Sequence, residues 1–411
     1  MKECLMKSRL MWLVLGIGLT AAVMGSVWAA TSGEVEVRVN ARHLEDGRVE
    51  VAVQQHEGDG WGDRLRPDSR FVPAGAQANH WYSSSAVAIE VPVPEDELFC
   101  LVTHAQPGDD GFWTYKFEAM AHRWDVYHDG ITVQVKHGAT PQIQAEMLQQ
   151  CLDDGATAVG SSLADPEPLR DVLLSAVDAG ITVVTFNSGL QDYKSVGSSR
   201  HVSVNEPETG RQVGALLVER GVTGNVACVI HEARNVGLDE RCDGLEEGYT
   251  NGSIERFHVA GVGDIEATKD DLKGQLLGED GEPLFGGVVT LNSDIGSAAL
   301  AVVRETGADI KIATFDENRE VLEAIKEGEI LFSVDTVPQY QAFYALSSML
   351  QLARTIPRIL ELYKVDDPHA LLSQLPVLLG PRLYTSDNAR EWLQTVYGTD
   401  RSVITTEVDD N

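Results

Sequence analysis

Phe112 and Trp113 stand side by side after a Pro-Gly-Asp turn, where a helix should begin. Flat rings beside free helix N–H groups suit a sugar. The rings cover its apolar C–H faces and nearby donors meet its hydroxyls. Packing the helix onto a sheet would use the same rings, so at least one of the two is assigned to ligand. Five more polar clusters each follow an apolar run: Asn187-Ser188, the stretch from His231 to Asn235, Asn292-Ser293-Asp294, Phe315-Asp316-Glu317-Asn318 and Asp335-Thr336. Amides and carboxylates can each grip two vicinal hydroxyls, the chemistry a polyol site needs. Asn and Asp also cap helices, so each cluster alone is a weak signal. Five in one chain favour a ligand.

The clearest positioning element runs from Gly155 to Gly189 and predicts strand, helix, strand. Ala156–Ser161 is a short apolar run, and Asp165-Pro166-Glu167 carries the start signals of a helix. Leu169, Val172, Leu173, Ala176 and Val177 recur at helical spacing, and Gly180 stops them. Ile181–Phe186 is a β-branched strand, apolar almost throughout as a strand covered on both faces should be. Asn187-Ser188 then falls at its carboxyl end, where open α/β sheets bind ligands. The same alternation runs from Leu98 to Asp335. It predicts two consecutive parallel-sheet series, hence two doubly wound, Rossmann-like lobes facing one another. A long helix over 338–362 and a tail follow.

Residues 31–95 have a different rhythm. Val35–Val39 and Val49–Val53 alternate apolar and polar about a Gly-containing turn, which predicts a β-hairpin. Trp61, Phe71, Trp81 and Tyr82 would form the core of a small antiparallel all-β domain. A carbohydrate-binding role for exposed rings there is the less favoured reading.

The formal net charge of −31 over 411 residues excludes nucleic acid, whose phosphates demand a basic surface. A solvated acidic surface that keeps an exported protein soluble is the simpler account. Lys2, Lys7 and Arg9 precede an apolar run ending in Val27-Trp28-Ala29, so residues 1–29 read as a signal peptide cleaved after Ala29. An uncleaved anchor is the alternative. Beyond it remain Cys100, Cys151, Cys228 and Cys242. Cys228 and Cys242 could bridge, or could be buried free thiols.

Signatures of catalysis are missing: no Gly-x-Ser-x-Gly elbow, no phosphate loop, no His-Glu-x-x-His. His122, His128 and His137 lack metal-ligand spacing, so no metal or cofactor is expected. Asp316 and Asp335 could serve a glycosidase as acid and base, a reading kept only as a remote alternative.

From about Leu98 to Glu391 the chain resembles the sugar-binding, ribose/galactose-like type I periplasmic binding proteins of ABC importers. VTHAQPGDDGFW, VVTFNSG, SVNEPETGRQVGALL, CVIHEARNVGLDERCDG and IATFDENREVLEAIKEGEILFSVD carry the resemblance at that family's spacing. It implies that Phe112 and Trp113 stack on the sugar and that Asn187, Ser188, Asn292, Phe315 and Asp316 line its pocket. Many relatives have Asp-Arg in place of Asn187-Ser188 and Gln in place of Thr336, so the pocket is no copy of a ribose site. A sugar-gripping arginine of ribose receptors falls near Asp239, two residues before Arg241.

The reading is therefore an α/β, exported, non-enzymatic receptor, periplasmic or extracellular and monomeric. It would close about hinges near Val204 and Asp335 to deliver a sugar or polyol to an ABC permease. Residues 98–203 and 337–378 would form lobe 1; 204–336 and 379–411 would form lobe 2. The ligand set is Phe112, Trp113, Asn187, Ser188, Asn235, Asn292, Phe315, Asp316 and Thr336. A sensor signalling to a membrane kinase or chemoreceptor is the alternative from another class.

Overall fold

The computed structural model describes residues 97–105, 111–126, 128, 130–355 and 376–397, and the backbone of four strands nearer the N-terminus. Those four, β1 (Val27–Ala29), β2 (Glu36–His43), β3 (Val49–His56) and β4 (Trp81–Ile89), pair antiparallel in that order. The first part of the expected signal peptide, the Pro-Gly-Asp turn, Trp61, Phe71 and the tail beyond 397 lie outside the described residues.

Five strands follow: β5 (Glu97–Thr103), β6 (Ile131–His137), β7 (Ala158–Ser162), β8 (Thr182–Phe186) and β9 (Arg200–Ser203). Five more repeat the pattern: β10 (Val226–Ile230), β11 (Ile254–His258), β12 (Gly287–Thr290), β13 (Lys311–Phe315) and β14 (Ile330–Asp335). Two short strands, β15 (Val377–Leu378) and β16 (Arg382–Tyr384), close the set. The sheets are β6-β5-β7-β8-β9-β15 and β11-β10-β12-β13-β14-β16, two α/β layers of one topology. Within each, the strands β7-β8-β9 and β10-β12-β13-β14 pair parallel. The chain crosses between sheets after β9, after β14 and between β15 and β16. The last strand runs antiparallel to β14.

Parallel strands covered by helices on both faces need apolar residues at successive positions. Phe99 to Val102 and Val226 to Val229 meet that demand and are fully buried. Leu148, Leu173 and Val183 pack beside Val102 in the first lobe. Ile295, Leu322 and Ile325 cover one face of the second sheet, and Leu238 and Leu245 the other.

Two helices of the second lobe, Glu206–Glu219 and Val236–Gly248, touch through bare backbone. A Cβ on Gly244 would sit 1.9 Å from the Pro207 carbonyl oxygen, and one on Gly210 2.1 Å from that of Arg241. One turn further along each helix, a Cβ on Gly248 would sit 2.0 Å from the Arg211 carbonyl oxygen and one on Gly214 2.7 Å from that of Leu245. Only glycine permits this approach.

Three sequence expectations move. The apolar-run alternation puts one strand of the second series at Phe257–Val262, and the structure has it at Ile254–His258. It is an edge strand whose Glu255 and Arg256 face solvent, so no apolar run marks its start. The long helix expected over 338–362 is α-helical over Pro338–Leu350 and widens to a π-turn at Gln351–Thr355; the remainder lies outside the described residues. Asp165 does not cap the helix after β7, which opens as a 3₁₀ turn without any side-chain cap. Its carboxylate instead lies 3.4 Å from Arg234 of the other lobe. Among the described residues no helix is long and apolar enough to cross a membrane.

Candidate ligand cleft

The two sheets present equivalent strand ends to one another. Asn187 follows β8 and Asp316 follows β13, the same position in each lobe. Both adopt left-handed backbone, with φ of 66° and 59°. Each sends its N–H to the next strand, Asn187 to Val202 O at 3.0 Å and Asp316 to Val334 O at 2.8 Å. Asn and Asp tolerate this region best among residues with a side chain, because their short polar groups bond locally. The strain is of order 1 kcal/mol at each and persists because neighbouring strands fix it. It aims both side chains off the strand axis.

Asn187 donates its amide to Gln341 Oε1 at 3.3 Å. Ser188 donates to Asn235 Oδ1 at 2.7 Å, and Asn235 donates to Glu232 Oε2 at 2.5 Å while capping its helix through Gly237 N. Asp316 is buried, and its Oδ1 accepts from Thr336 N at 3.3 Å and Thr336 Oγ1 at 3.0 Å. Burial pushes its carboxyl up to about 7; Arg241 and Lys116 oppose that and Asp335 reinforces it. Asn292 accepts from Asp294 N at 2.7 Å as the cap of helix Ser293–Thr306.

Phe112 and Trp113 open the helix Gly111–Glu118 and are both nearly buried. Trp113 meets Phe112 at 4.7 Å, His104 at 4.9 Å, Phe117 at 5.3 Å and Phe186 at 6.3 Å between ring centres. So the packing role weighed for these rings is real, and Trp113 stands within an aromatic cluster. Phe315 belongs to the second lobe's core and carries the Arg241 guanidinium 4.7 Å above its ring centre. Arg241 grips Glu206 through two nitrogens, at 2.5 and 3.0 Å, and donates to Leu291 O.

The lobes touch in the closed manner. Val236 N donates to Ala164 O at 2.9 Å, and a Cβ on Gly237 would sit 2.6 Å from Ser188 Oγ. Lys116 Nζ reaches Glu317 Oε1 at 3.1 Å and the Glu317 carbonyl at 3.3 Å. Although burial works against it, Asp335, Glu317 and Asp316 raise the Lys116 ammonium above its ordinary value. His104 bonds Ser162 Oγ at 2.9 Å and lies 3.2 Å from Glu232 Oε2. Against partial burial, His104, His231 and Asn235 hold the Glu232 carboxyl well below the usual range.

A cavity of about 310 Å³ opens where the lobes meet, walled by His104, Trp113, Asp165, His231, Glu232 and Arg234. Of the nine residues proposed from sequence, Trp113 and Asn235 border it; Phe112, Asn187, Ser188, Asn292, Phe315, Asp316 and Thr336 do not. The nine thus fall into a pair on the cavity wall and seven away from it. His104, Lys116, Glu206 and Gln341 were missed, whereas Glu232 stands in the His231–Asn235 cluster and Arg241 was noted beside Asp239. Lys116 had no visible signal, its partner Glu317 being 201 positions away; Glu206 and Arg241 carried one, charged residues on glycine-rich helix faces.

Residues 103–355 match the periplasmic binding protein domain. The chain belongs to that family. Its members are solute-binding proteins of the extracytoplasmic space, and the two-lobed α/β fold is theirs. Over 305 residues the binding protein is 23% identical to a D-ribose/D-allose-binding protein of Pseudomonas aeruginosa, covering 69% of this chain and 87% of that one. Among solved structures it is similar to a carbohydrate transporter from Acidothermus cellulolyticus 11B in complex with myo-inositol, with TM-score 0.64 and 24% identity. That match covers 74% of this chain and all of the other. An arabinose-binding protein from Geobacillus stearothermophilus gives TM-score 0.56 and 21% identity over 72% of this chain and 99% of its own.

The binding protein also carries two disulfides, Cys100–Cys151 and Cys228–Cys242. Each ties a central strand of a lobe to the helix covering it. Such bonds persist in oxidising compartments, in keeping with the family's location.

Proposed function

We propose that this binding protein captures a sugar or cyclic polyol between its lobes and hands it, as a monomer, to an ABC permease. The observation that carries the reading is the facing pair of left-handed strand ends, Asn187 and Asp316. Both aim hydroxyl-gripping groups into the closed interface, beside Trp113 and the Arg241 guanidinium. Phe112, Ser188, Asn235, Asn292, Phe315 and Thr336 complete the set, most of them by holding these groups in place. Ribose or allose, arabinose and myo-inositol are the ligands named for the relatives, and this chain's ligand is of that class. Nothing in the cleft needs the ligand to react, so Asp316 is assigned to binding and not to glycoside hydrolysis.

The lobes divide at the crossings, 98–203 with 337–378 and 204–336 with 379–411. The stretch 31–95 serves as an added β domain ahead of them. Export through the leader would begin the mature chain at Ala30 and remove β1, leaving β2, β3 and β4 as the N-terminal sheet.

A thermal-shift and calorimetric screen with D-ribose, D-allose, L-arabinose and myo-inositol tests the reading. At least one should raise the melting temperature in proportion to RT ln(1 + [L]/Kd) and be recovered unchanged. Turnover of a bound glycoside would overturn it, as would the failure of every sugar to bind.

A further inference from the structure

The cavity between the lobes asks for an occupant of its own. Its volume of about 310 Å³ sits at the lower bound of small-molecule sites, roughly 300 Å³, which is space for one sugar ring. Its wall is built from both lobes, His104 and Asp165 from one and His231, Glu232 and Arg234 from the other. Gly261 and Gly263 also border it and leave the space open.

Three observations give the cavity its chemistry. His231 is buried, and its Nδ1 has no hydrogen-bond partner. A buried polar atom without a partner costs about 1–3 kcal/mol. Sealed from solvent as it stands, Nδ1 is offered to a ligand hydroxyl by a turn of the ring, which lines the cavity. Arg234 holds left-handed backbone at φ 65°, a strained state for a long side chain, with its guanidinium 3.4 Å from Asp165. Finally, the polar groups meet in pairs, Arg234 with Asp165 and His104 with Glu232. Two carboxylates would repel a phosphate or carboxylate group, whereas a neutral polyol finds both donors and acceptors. Trp113 lines the cavity and also packs against Phe186, the residue before Asn187, so it connects the cavity to that strand end.

We infer that this mouth cavity is a second glycosyl subsite, and that the ligand is a glycosylated sugar or polyol, a disaccharide or glycoside, in place of a free monosaccharide. The inference rests on the sugar-receptor reading above and sharpens its substrate class. One unit sits among Asn187, Asp316 and Trp113; the attached unit lies against His231, Glu232 and Arg234.

Calorimetry on the mature full chain tests it with paired probes: myo-inositol against galactinol, D-galactose against melibiose, and L-arabinose against its methyl glycosides. At least one glycosylated probe should bind tenfold or more tightly than its parent. Arg234→Ala should erase that advantage and leave the parent's affinity within twofold; Arg234 is exposed enough for this variant to fold. His231→Ala should do the same, with its melting temperature as the folding check. If parents bind and every glycosylated probe binds more weakly, or if Arg234→Ala weakens both members of a pair equally, the second subsite is refuted while the sugar-receptor reading stands. If no probe of either size binds, both fall together.

Discussion

Ser188 of the first lobe donates to Oδ1 of Asn235 in the second at 2.7 Å, and that same oxygen caps the helix starting at Val236. One atom therefore serves two tasks, ending a helix and fastening the lobes. The neighbouring residue, Gly237, has no side chain in the way, since a Cβ there would stand 2.6 Å from Ser188 Oγ.

Gly237→Ala should hold the lobes apart without harming either. We expect sugar affinity to fall at least tenfold, and small-angle scattering to show no contraction on adding ligand. A variant that contracts and binds as before would remove this contact from the closure mechanism.

Trp113→Ala should abolish measurable sugar binding. Because Trp113 also packs against Phe117 and Phe186, it should lower stability by about 3–5 kcal/mol. Trp113→Phe separates the two effects. It should keep most of the stability and lose part of the affinity; a full-affinity Ala variant would rule out contact with ligand.

Stability should respond to pH with opposite signs at two buried groups. Asp316 is raised by burial from 3.8 to about 7, so its contribution is fully present below the unfolded value and is lost as pH rises towards 7. Glu240, raised to about 7 by partial burial and by Glu206, leans the same way. His201 is lowered by burial from 6.5 to about 3, so its contribution is present above 6.5 and is lost as pH falls through the acid range. Melting temperature against pH should therefore pass through a maximum on the acid side of neutrality. Asp316→Asn should flatten the limb between pH 4 and 7; an unchanged limb would show that Asp316 does not titrate there.

The lobes themselves were legible in sequence because apolar β-branched strands and glycine-stopped helices alternate, and most strand partners lie one or two strands away in the chain. The strand ends were legible for the same reason. What those ends touch was not. Asn187 meets Gln341 across 154 positions, and Asp165, which reads as a helix cap, turns instead to Arg234. Local chemistry gives a polar residue two options, its own helix or a distant partner, and only the folded lobes choose between them. The edge strand at Ile254–His258 was misplaced because its outward residues are polar and carry no packing signal.

Removing Cys228–Cys242 or Cys100–Cys151 releases loops of 14 and 51 residues. By chain entropy each is worth about 3–4 kcal/mol, so a reductant should lower the melting temperature by several degrees. Replacing Cys228 and Cys242 by Ser should reproduce part of that fall and make the remainder smaller. A melting curve blind to reductant would mean that the bonds do not constrain the unfolded chain.

The glycine-faced helices give the second lobe a mechanical character. With backbone on backbone at Gly210, Gly214, Gly244 and Gly248, there is no layer of side chains between the helices to slip or repack. Arg241, on one helix, grips Glu206, the first residue of the other and the neighbour of the Val204–Asn205 crossing. Load applied at the cleft therefore arrives at the pivot undamped. The lobe swings as a stiff arm, and the grip on a ligand is read directly as the angle of the joint.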